Sequence, residues 1–180
     1  MLKASSSNRM QNHFELFDLP QVFDTDLKAL DRAYHDVQNK VHPDKFASAP
    51  DAEKRVAMQW ATRANEAYKT LKSPFKRAAY LCELNGVDLQ TESNTAMPVE
   101  FLMQQMEWRE ALDDAKTSKD RDGLEKLESD LRSERKATVD QVGTLLDASD
   151  FTQAAEVVRQ LMFLEKFNDE VANAFDLLPE

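Results

Sequence analysis

The tripeptide His42-Pro43-Asp44 lies between two segments whose apolar side chains have helical spacing. Upstream, apolar residues recur every three or four positions, which places them on one face of a helix. They are Leu27, Leu30, Tyr34, Val37 and Val41. Downstream, the same spacing is repeated by Ala57, Ala61, Ala64, Tyr68 and Leu71. The sequence therefore predicts an antiparallel helical hairpin that packs through these faces and exposes the tripeptide in its loop.

Local signals predict where these helices begin and end. Thr25 and Asp26 offer a capping oxygen at the start of the first helix. Pro43 ends that helix because proline disfavours helical backbone at the preceding residue and has no amide donor. Ser73-Pro74 then indicates a cap followed by the first residue of another helix.

The opposite face of the first helix is polar and partly basic. It carries Lys28, Arg32, His35 and Asn39, in a stripe that runs toward His42. Such a stripe is most often a solvated face, but next to an exposed loop it forms one continuous surface that a partner protein could contact. The same helix also carries Asp26, Asp31 and Asp36.

Composition indicates a helical protein with a well-solvated exterior. Only three glycines occur in 180 residues, and no segment alternates like a strand between turn residues. The 42% of hydrophobic residues is enough for packed cores, and 31% are charged. We therefore expect an all-α fold.

The charge and the cysteine content narrow the choice of partners and of location. A net charge of −10 repels phosphate groups, so we expect neither nucleic acid nor a membrane surface as a partner. No stretch approaches the length of a membrane span. The single cysteine, Cys82, rules out an internal disulfide and favours a reducing compartment, so the cytoplasm is the simplest location.

Breaks in the pattern divide the chain into four parts. Gly86 suits the C-terminal cap of a helix, and the polar stretch after it is loop-like until Met97-Pro98 begins a new helix. The predicted parts are a flexible tail over 1–12, a first domain over 13–86, a linker over 87–97 and a second domain over 98–180.

The second domain is predicted to contain three amphipathic helices. They extend from Pro98 to about Lys116, from about Lys119 to Asp147 and from about Asp150 to Leu178, with breaks at Thr117-Ser118 and Ser149-Asp150. Short connections favour an antiparallel three-helix bundle. Heptad-like spacing leaves a coiled coil as an alternative.

The first of these helices has two apolar stripes, whereas a bundle helix needs one. At about 100° per residue, Phe101, Trp108, Leu112 and Ala115 lie on one side, and Val99, Leu102, Met103 and Met106 lie on the other. Glu107, Glu110 and Asp114 border the second stripe. An apolar centre with a charged rim is typical of a protein interface, although the stripe could also pack against the N-terminal domain or the linker, most readily through Val99. On the last helix, Phe163 points about 120° away from the packing stripe and could join this patch.

Several segments together resemble the J-domain family. These are Phe14-Glu15-Leu16-Phe17, Leu19-Pro20, His42-Pro43-Asp44-Lys45-Phe46 and Asn65-Glu66-Ala67-Tyr68 with Leu71. More narrowly, Phe101-Leu102-Met103 with Glu107 and Arg109, and Phe163-Leu164-Glu165-Lys166, resemble the HscB family of J-domain co-chaperones in iron-sulfur cluster assembly. The resemblance covers about Phe14 to Leu178, in the same order. It implies a J-domain followed by a three-helix scaffold-binding domain.

The resemblance also implies two partners and the residues that meet them. One partner is a DnaK/HscA-class ATPase chaperone, stimulated through His42, Pro43, Asp44, Lys45, Lys28, Arg32 and Lys40. The other is an IscU-type iron-sulfur scaffold, bound through Leu102, Met103, Met106, Glu107, Glu110, Asp114 and Phe163. With three acidic residues on the first helix, its face is less basic than the family pattern suggests.

Other functions fit the sequence less well. His42 and Asp44 could be drawn as an acid and a base, but an exposed loop has no desolvated pocket to tune them, so we expect no enzyme and no catalytic residue. His35 and His42 are seven positions apart with no clustered ligands, so neither a metal nor a cofactor is expected. A general J-domain adaptor for another client, or a purely structural helical interaction protein, remains the alternative.

Overall fold

The computed structural model describes residues 10–89 and 97–177, and within these ranges all regular secondary structure is helical. Most of the predicted tail over 1–12, most of the predicted linker over 87–97, and residues 178–180 lie outside the described residues. Contacts divide the chain into two compact units between Arg77 and Ala78. This division falls within the helix Pro74–Leu84, whereas the sequence predicted the end of the first domain at Gly86, followed by a linker.

The first unit contains three α-helices, one 3₁₀ turn and the beginning of a fourth helix. They are α1 (His13–Leu16), α2 (Leu27–Val41), the turn Pro43–Phe46, α3 (Asp51–Lys72) and α4 (Pro74–Leu84). The Asn12 side chain accepts from the Glu15 amide at 2.9 Å, and the Glu15 carboxylate accepts from the Asn12 amide at 3.0 Å. This reciprocal pair satisfies two free donors at the start of α1. Arg63 of α3 also donates to the Gln11 carbonyl, so defined contacts begin before the predicted domain start.

Asp26 alone caps α2. Its Oδ1 accepts from the amides of Lys28 at 2.9 Å and Ala29 at 3.0 Å, which lowers the pKa of its carboxyl group. The Thr25 hydroxyl instead donates to the Val22 carbonyl at 3.0 Å. The helix ends at Val41 as predicted from Pro43.

The core of the first unit lies between α1, α2 and α3. Phe14, Phe17, Leu30, Ala57, Ala64, Ala67 and Leu71 are buried. Of the predicted stripe on α2, Leu27 is 39% exposed, so placing it in the packing face was wrong. The antiparallel register explains the difference: Asp31 already meets Lys72, the last residue of α3, so Leu27, one turn earlier, lies beyond the end of α3. On the α3 side, Ala61 and Tyr68 are half-buried at the edge of the contact.

The second unit contains the end of α4 and three long helices, α5 (Val99–Ser118), α6 (Arg121–Asp147) and α7 (Phe151–Asp176). Their bounds agree with the predicted helices to within a few residues, and they form a three-helix bundle. Its buried residues include Leu112, Leu124, Leu131, Val142, Leu161, Leu164, Phe167 and Val171. Across the α6–α7 contact, Arg135 Nη2 pairs with Glu165 Oε1 at 2.7 Å and Oε2 at 2.9 Å. This two-pronged ion pair is about two-thirds buried and fixes the register of the two helices.

The two breaks in the bundle each use a left-handed residue other than glycine. Lys119 has φ 53°, and the following Asp120 amide donates back to the Ala115 carbonyl at 2.9 Å. Ser149 has φ 58°, with the Asp150 amide donating to the Leu145 carbonyl at 2.9 Å. These six-residue closures are Schellman motifs. The predicted cap at Asp150 is confirmed, whereas the predicted break at Thr117-Ser118 was wrong because both residues are helical and the break falls at Lys119.

Candidate functional site

The loop after α2 has a defined backbone conformation. His42 leaves the helix with φ −57° and ψ 133°, an extended conformation that the following proline favours. Pro43 then opens the 3₁₀ turn, in which the Lys45 amide donates to the His42 carbonyl at 3.0 Å. The Asp44 amide donates to His42 Nδ1 at 3.3 Å. Because Nδ1 accepts this bond, the neutral imidazole carries its proton on Nε2. His42 therefore closes the loop with its main chain and its side chain.

The side chains of this loop are available to a partner. His42 is 56% exposed, and Asp44, at 90%, is almost fully exposed. Asp44 Oδ2 is 3.5 Å from His42 Nδ1, a contact that is an ion pair only when the imidazole is protonated. The carboxylate therefore keeps its capacity to accept hydrogen bonds from a cationic group outside the chain.

The predicted basic residues lie on the exposed surface of the same unit. Lys28, Arg32, Lys40 and Lys45 are all exposed, and none is ion-paired within the part of the chain that the structure describes. Two of the three acidic residues on α2 are occupied elsewhere. Asp26 caps the helix, and Asp31 accepts hydrogen bonds from Tyr68 and Lys72 of α3. Asp31 is thus held toward α3, whereas the Asp26 carboxylate still interacts electrostatically with Arg32 and Lys28.

The structure also contains a feature near the loop that sequence analysis missed. A groove of about 640 Å³ lies between the end of α2, the 3₁₀ turn and the start of α3. Its lining is mainly apolar and includes Leu16, Val37, Val41, Phe46, Val56 and Trp60, with Lys40 at its border. Val56 is 52% exposed, so this side of α3 is not covered by the helices of its unit. The sequence offered one indication of this groove: Val56 is apolar but lies just outside the packing stripe of α3.

The second apolar stripe of α5 is exposed, as its spacing predicts. Exposed fractions are 47% for Leu102, 57% for Met103 and 71% for Met106, and Val99 reaches 65%. The opposite stripe is buried, with Phe101 at 8% and Leu112 at 2%. Val99, which was expected to be the member of this stripe most readily covered, is thus among its exposed residues.

Phe163 joins α7 to this patch. It is 43% exposed and lies one turn before Phe167, whose ring stacks on Trp108 of α5 at 5.9 Å between centroids. Farther along α7, Glu170 accepts from Arg109 of α5 at 3.2 Å. Since α5 and α7 run in the same direction in an antiparallel three-helix arrangement, one turn back from Phe167 corresponds to one turn back from Trp108. Phe163 thus lies about level with Gln104, next to Met103.

Charged residues border the patch on α5. Met103 and Met106 share a groove of about 610 Å³ with Glu107, Arg109, Glu110, Asp113 and Asp114. Glu107, Glu110 and Asp114 were predicted members of this border, and the structure adds Asp113 and Arg109. Arg109 is part of the segment that resembles the HscB family, but the sequence did not predict it as a member of this surface. Arg109 pairs with Glu170, which does not line the groove, so among the described residues no ion pair neutralises the acidic groups of the border.

In residues 10–89 and 97–177, no three of the His, Cys, Asp and Glu side chains are grouped closely enough to hold a metal ion. None of the helices in these ranges combines the length and the apolar character that crossing a membrane requires.

Comparisons with known proteins identify relatives over almost the whole chain. Residues 97–172 match the family model described as the HSCB C-terminal oligomerisation domain. The co-chaperone protein HscB homolog of Burkholderia multivorans is 55% identical over 167 residues, which cover 93% of this chain and 95% of that protein. The corresponding Paraburkholderia xenovorans protein is 53% identical over the same coverage.

Solved structures agree with these sequence relatives. The chaperone HscB from Vibrio cholerae has a TM-score of 0.82 at 34% identity, covering 94% of this chain and 100% of its own. Human co-chaperone HscB has a TM-score of 0.86 at 27% identity, covering 93% of this chain and 83% of its own. The match confirms the predicted architecture of a J-domain followed by a helical bundle, and it assigns the chain to co-chaperones rather than to enzymes. This chain belongs to the HscB family of co-chaperones.

Proposed function

We propose that this protein acts in iron-sulfur cluster biogenesis by stimulating the ATPase of a DnaK/HscA-class chaperone and delivering an IscU-type scaffold to it. One observation supports this above the others. The chain presents a closed, exposed loop with basic neighbours on one unit and an exposed apolar patch with an acidic border on the other. A purely structural helical protein requires neither surface.

At the chaperone end, the proposed contact set is His42, Pro43, Asp44, Lys45, Lys28, Arg32 and Lys40. Pro43 and the bond from the Asp44 amide to His42 Nδ1 hold the loop in one conformation, so little entropy is lost when a partner binds. The exposed Asp44 carboxylate is suited to accept from a basic group of the ATPase. The basic face speeds and orients the encounter with an acidic surface. The ATP hydrolysis itself takes place in the partner.

At the scaffold end, the proposed contact set is Leu102, Met103, Met106, Glu107, Glu110, Asp114 and Phe163. Flexible methionine side chains adapt to a partner surface, and burying the apolar centre supplies most of the binding free energy. The acidic border favours a scaffold surface that is apolar in the middle and basic around it. Both partners then act on a single chain, which raises the effective concentration of one for the other. The cytoplasm is the proposed location.

The chaperone role is tested by replacing His42 with Gln. This change removes the Nδ1 acceptor of the Asp44 amide but leaves the helices intact, because His42 is exposed and outside both. We expect helical content and melting temperature to be unchanged and stimulation of ATP hydrolysis by a purified HscA-class chaperone to be lost. Steady-state phosphate release measures the stimulation.

The matched control is His35→Gln, which removes another exposed imidazole of the same unit, one that lies on the polar stripe of α2 but outside the loop and the proposed contact set. Most of the stimulation should remain in this variant. Stimulation by His42→Gln equal to that of the unaltered protein would contradict the proposed function.

A further inference from the structure

The contact between α2 and α3 includes a ladder of side-chain interactions at one edge. On α2 the members of the ladder are Asp31, Tyr34 and Gln38. On α3 they are Asn65, Tyr68 and Lys72, which they meet in antiparallel order. Asn65 Oδ1 accepts from Tyr34 Oη and from Gln38 Nε2, each at 2.6 Å. The rings of Tyr34 and Tyr68 stack at 4.1 Å. Asp31 Oδ1 accepts from Tyr68 Oη at 2.9 Å and from Lys72 Nζ at 2.6 Å.

Asp31 occupies a sensitive position in this ladder. At about 100° per residue, it lies about 60° around α2 from Lys28, and the i, i+3 spacing allows an ion pair between the two. Its carboxylate instead points across to α3. The hydrogen bonds from Lys72 and then from Tyr68 lower the pKa of Asp31, and the bond to Asp31 raises the pKa of Lys72. Lys28 is left without an ion pair among the described residues.

We propose that Lys72, with Tyr68, is a positioning residue for chaperone binding: by holding the Asp31 carboxylate against α3, it keeps that negative charge from neutralising Lys28 on the basic face. This inference rests on the proposed function, since it concerns the face through which the ATPase chaperone is recognised. It assigns a role to an α3 residue outside the proposed contact set.

The geometry of Lys72 is prepared by its neighbours. Its Nζ lies 5.7 Å from the centroid of the Tyr68 ring, within the range of a cation–π contact. Tyr68 is in turn fixed by its stacking on Tyr34. These contacts restrict the positions that the Lys72 ammonium group can adopt next to Asp31. Because both charges are partly exposed, at 39% for Lys72 and 48% for Asp31, the pair contributes little to stability and its main effect is on where the charges lie.

The experiment measures association rates with a purified HscA-class chaperone by stopped-flow fluorescence, at low and at high ionic strength. Lys72→Met breaks the ion pair that holds Asp31, leaving only the hydrogen bond from Tyr68, and also removes one positive charge. Lys69→Met is the matched control, because Lys69 is exposed on the same helix and has no ion pair within the described residues. We expect Lys72→Met to slow association about 2- to 5-fold more than Lys69→Met at low salt. The difference should shrink at high salt, where charges are screened.

A double variant separates charge placement from structural support. Adding Asp31→Asn to Lys72→Met removes the released charge while leaving the ladder without its ion pair, so the association rate should return to within about twofold of the original. Lys72→Arg, which keeps the pair, should also be near the original. Equal rates for Lys72→Met and Lys69→Met, or failure of the double variant to recover, would overturn the inference. If even the unaltered chain does not stimulate the chaperone, the proposed function itself is wrong.

Discussion

Cys82 is fully buried in the second unit, where its thiol lies 4.0 Å from the Phe151 carbonyl oxygen. Burial raises the pKa of the Cys82 thiol from 9.0 to about 11, and nearby Arg159 only partly opposes this shift. The thiolate is the reactive form of cysteine, so the folded protein holds this residue in its inert state. The free cysteine is thus a packing residue of the second unit.

We expect Cys82 to be alkylated by iodoacetamide at pH 8 at least about 100-fold more slowly in the folded protein than in denaturant, from the thiolate fraction alone. Cys82→Ala is the blank, because the chain has no other cysteine. Well below pH 9 the thiol is mostly neutral in both states and has little effect on stability. As the pH rises from 9.0 toward 11, the unfolded chain loses its proton first, so the free energy of unfolding should fall. Equally fast alkylation in both states would show the site to be open.

Residue-scale contacts across helices could not be predicted from the sequence. The helical spacing places Asp31 on α2 near Lys28, but its partners Tyr68 and Lys72 are some forty positions away in the chain. Pairing depends on the register of α2 against α3, which local patterns do not contain. In contrast, Pro43 predicted the end of α2 because its effect acts on the adjacent backbone.

At the scale of elements, some helix ends could be predicted from the local sequence and others could not. Gly86 was predicted to end α4, and it has φ 83°, with the Val87 amide donating to the Cys82 carbonyl at 3.0 Å. The equivalent positions Lys119 and Ser149 carry no glycine, so the left-handed residue could not be identified by type. The capping carboxylates Asp120 and Asp150 follow them directly. A long helical pattern therefore predicts the helix, whereas the residue at which it stops is decided by packing of the whole bundle.

The left-handed conformation of Lys119 leads to a stability prediction. A side chain at positive φ costs about 1 kcal/mol or more, whereas glycine adopts this conformation freely. Lys119→Gly should therefore raise the free energy of unfolding by about 0.5–1 kcal/mol, measured by urea denaturation. Lys116→Gly is the control, since it lies within the last turn of α5 and should lower the free energy of unfolding by about 1 kcal/mol. A loss of stability in Lys119→Gly would show that the lysine side chain contributes contacts that outweigh its backbone cost.

At the scale of the whole molecule, two surfaces of different character belong to different units. The surface around His42 is polar and basic, whereas the surface around Met106 is apolar with an acidic border. The exposure of the second apolar stripe of α5 was predictable, because a helix in a bundle buries only one stripe. The groove next to the His42 loop was not, because it is assembled from α1, α2, the 3₁₀ turn and α3 together.

If one chain must bind both partners at once, a mixture of two variants, each defective in binding one partner, cannot replace the unaltered protein. Leu102→Ala with Phe163→Ala should weaken scaffold binding by about 2 kcal/mol or more, roughly 30-fold, while leaving stimulation without scaffold unchanged. His42→Gln should bind the scaffold normally. Mixed in equal amounts, the two variants should not restore the extra stimulation that the unaltered protein gives with scaffold present, as measured by phosphate release.

The melting temperature of the double variant serves as its control, because both residues are exposed and their loss should cost little stability. Full restoration by the mixture would show that the two surfaces act independently, or that different chains associate and share their partners.

The exposure of two methionines has a chemical consequence for the apolar patch on α5. The thioethers of Met103 and Met106 are accessible to small oxidants, unlike the buried thiol of Cys82. Peroxide converts a thioether into a sulfoxide, which is polar and chiral and hydrates strongly, and reductases reverse the reaction. If this patch binds the proposed scaffold, oxidation would make its apolar centre polar and weaken scaffold binding until a reductase restores the thioethers, without unfolding either unit.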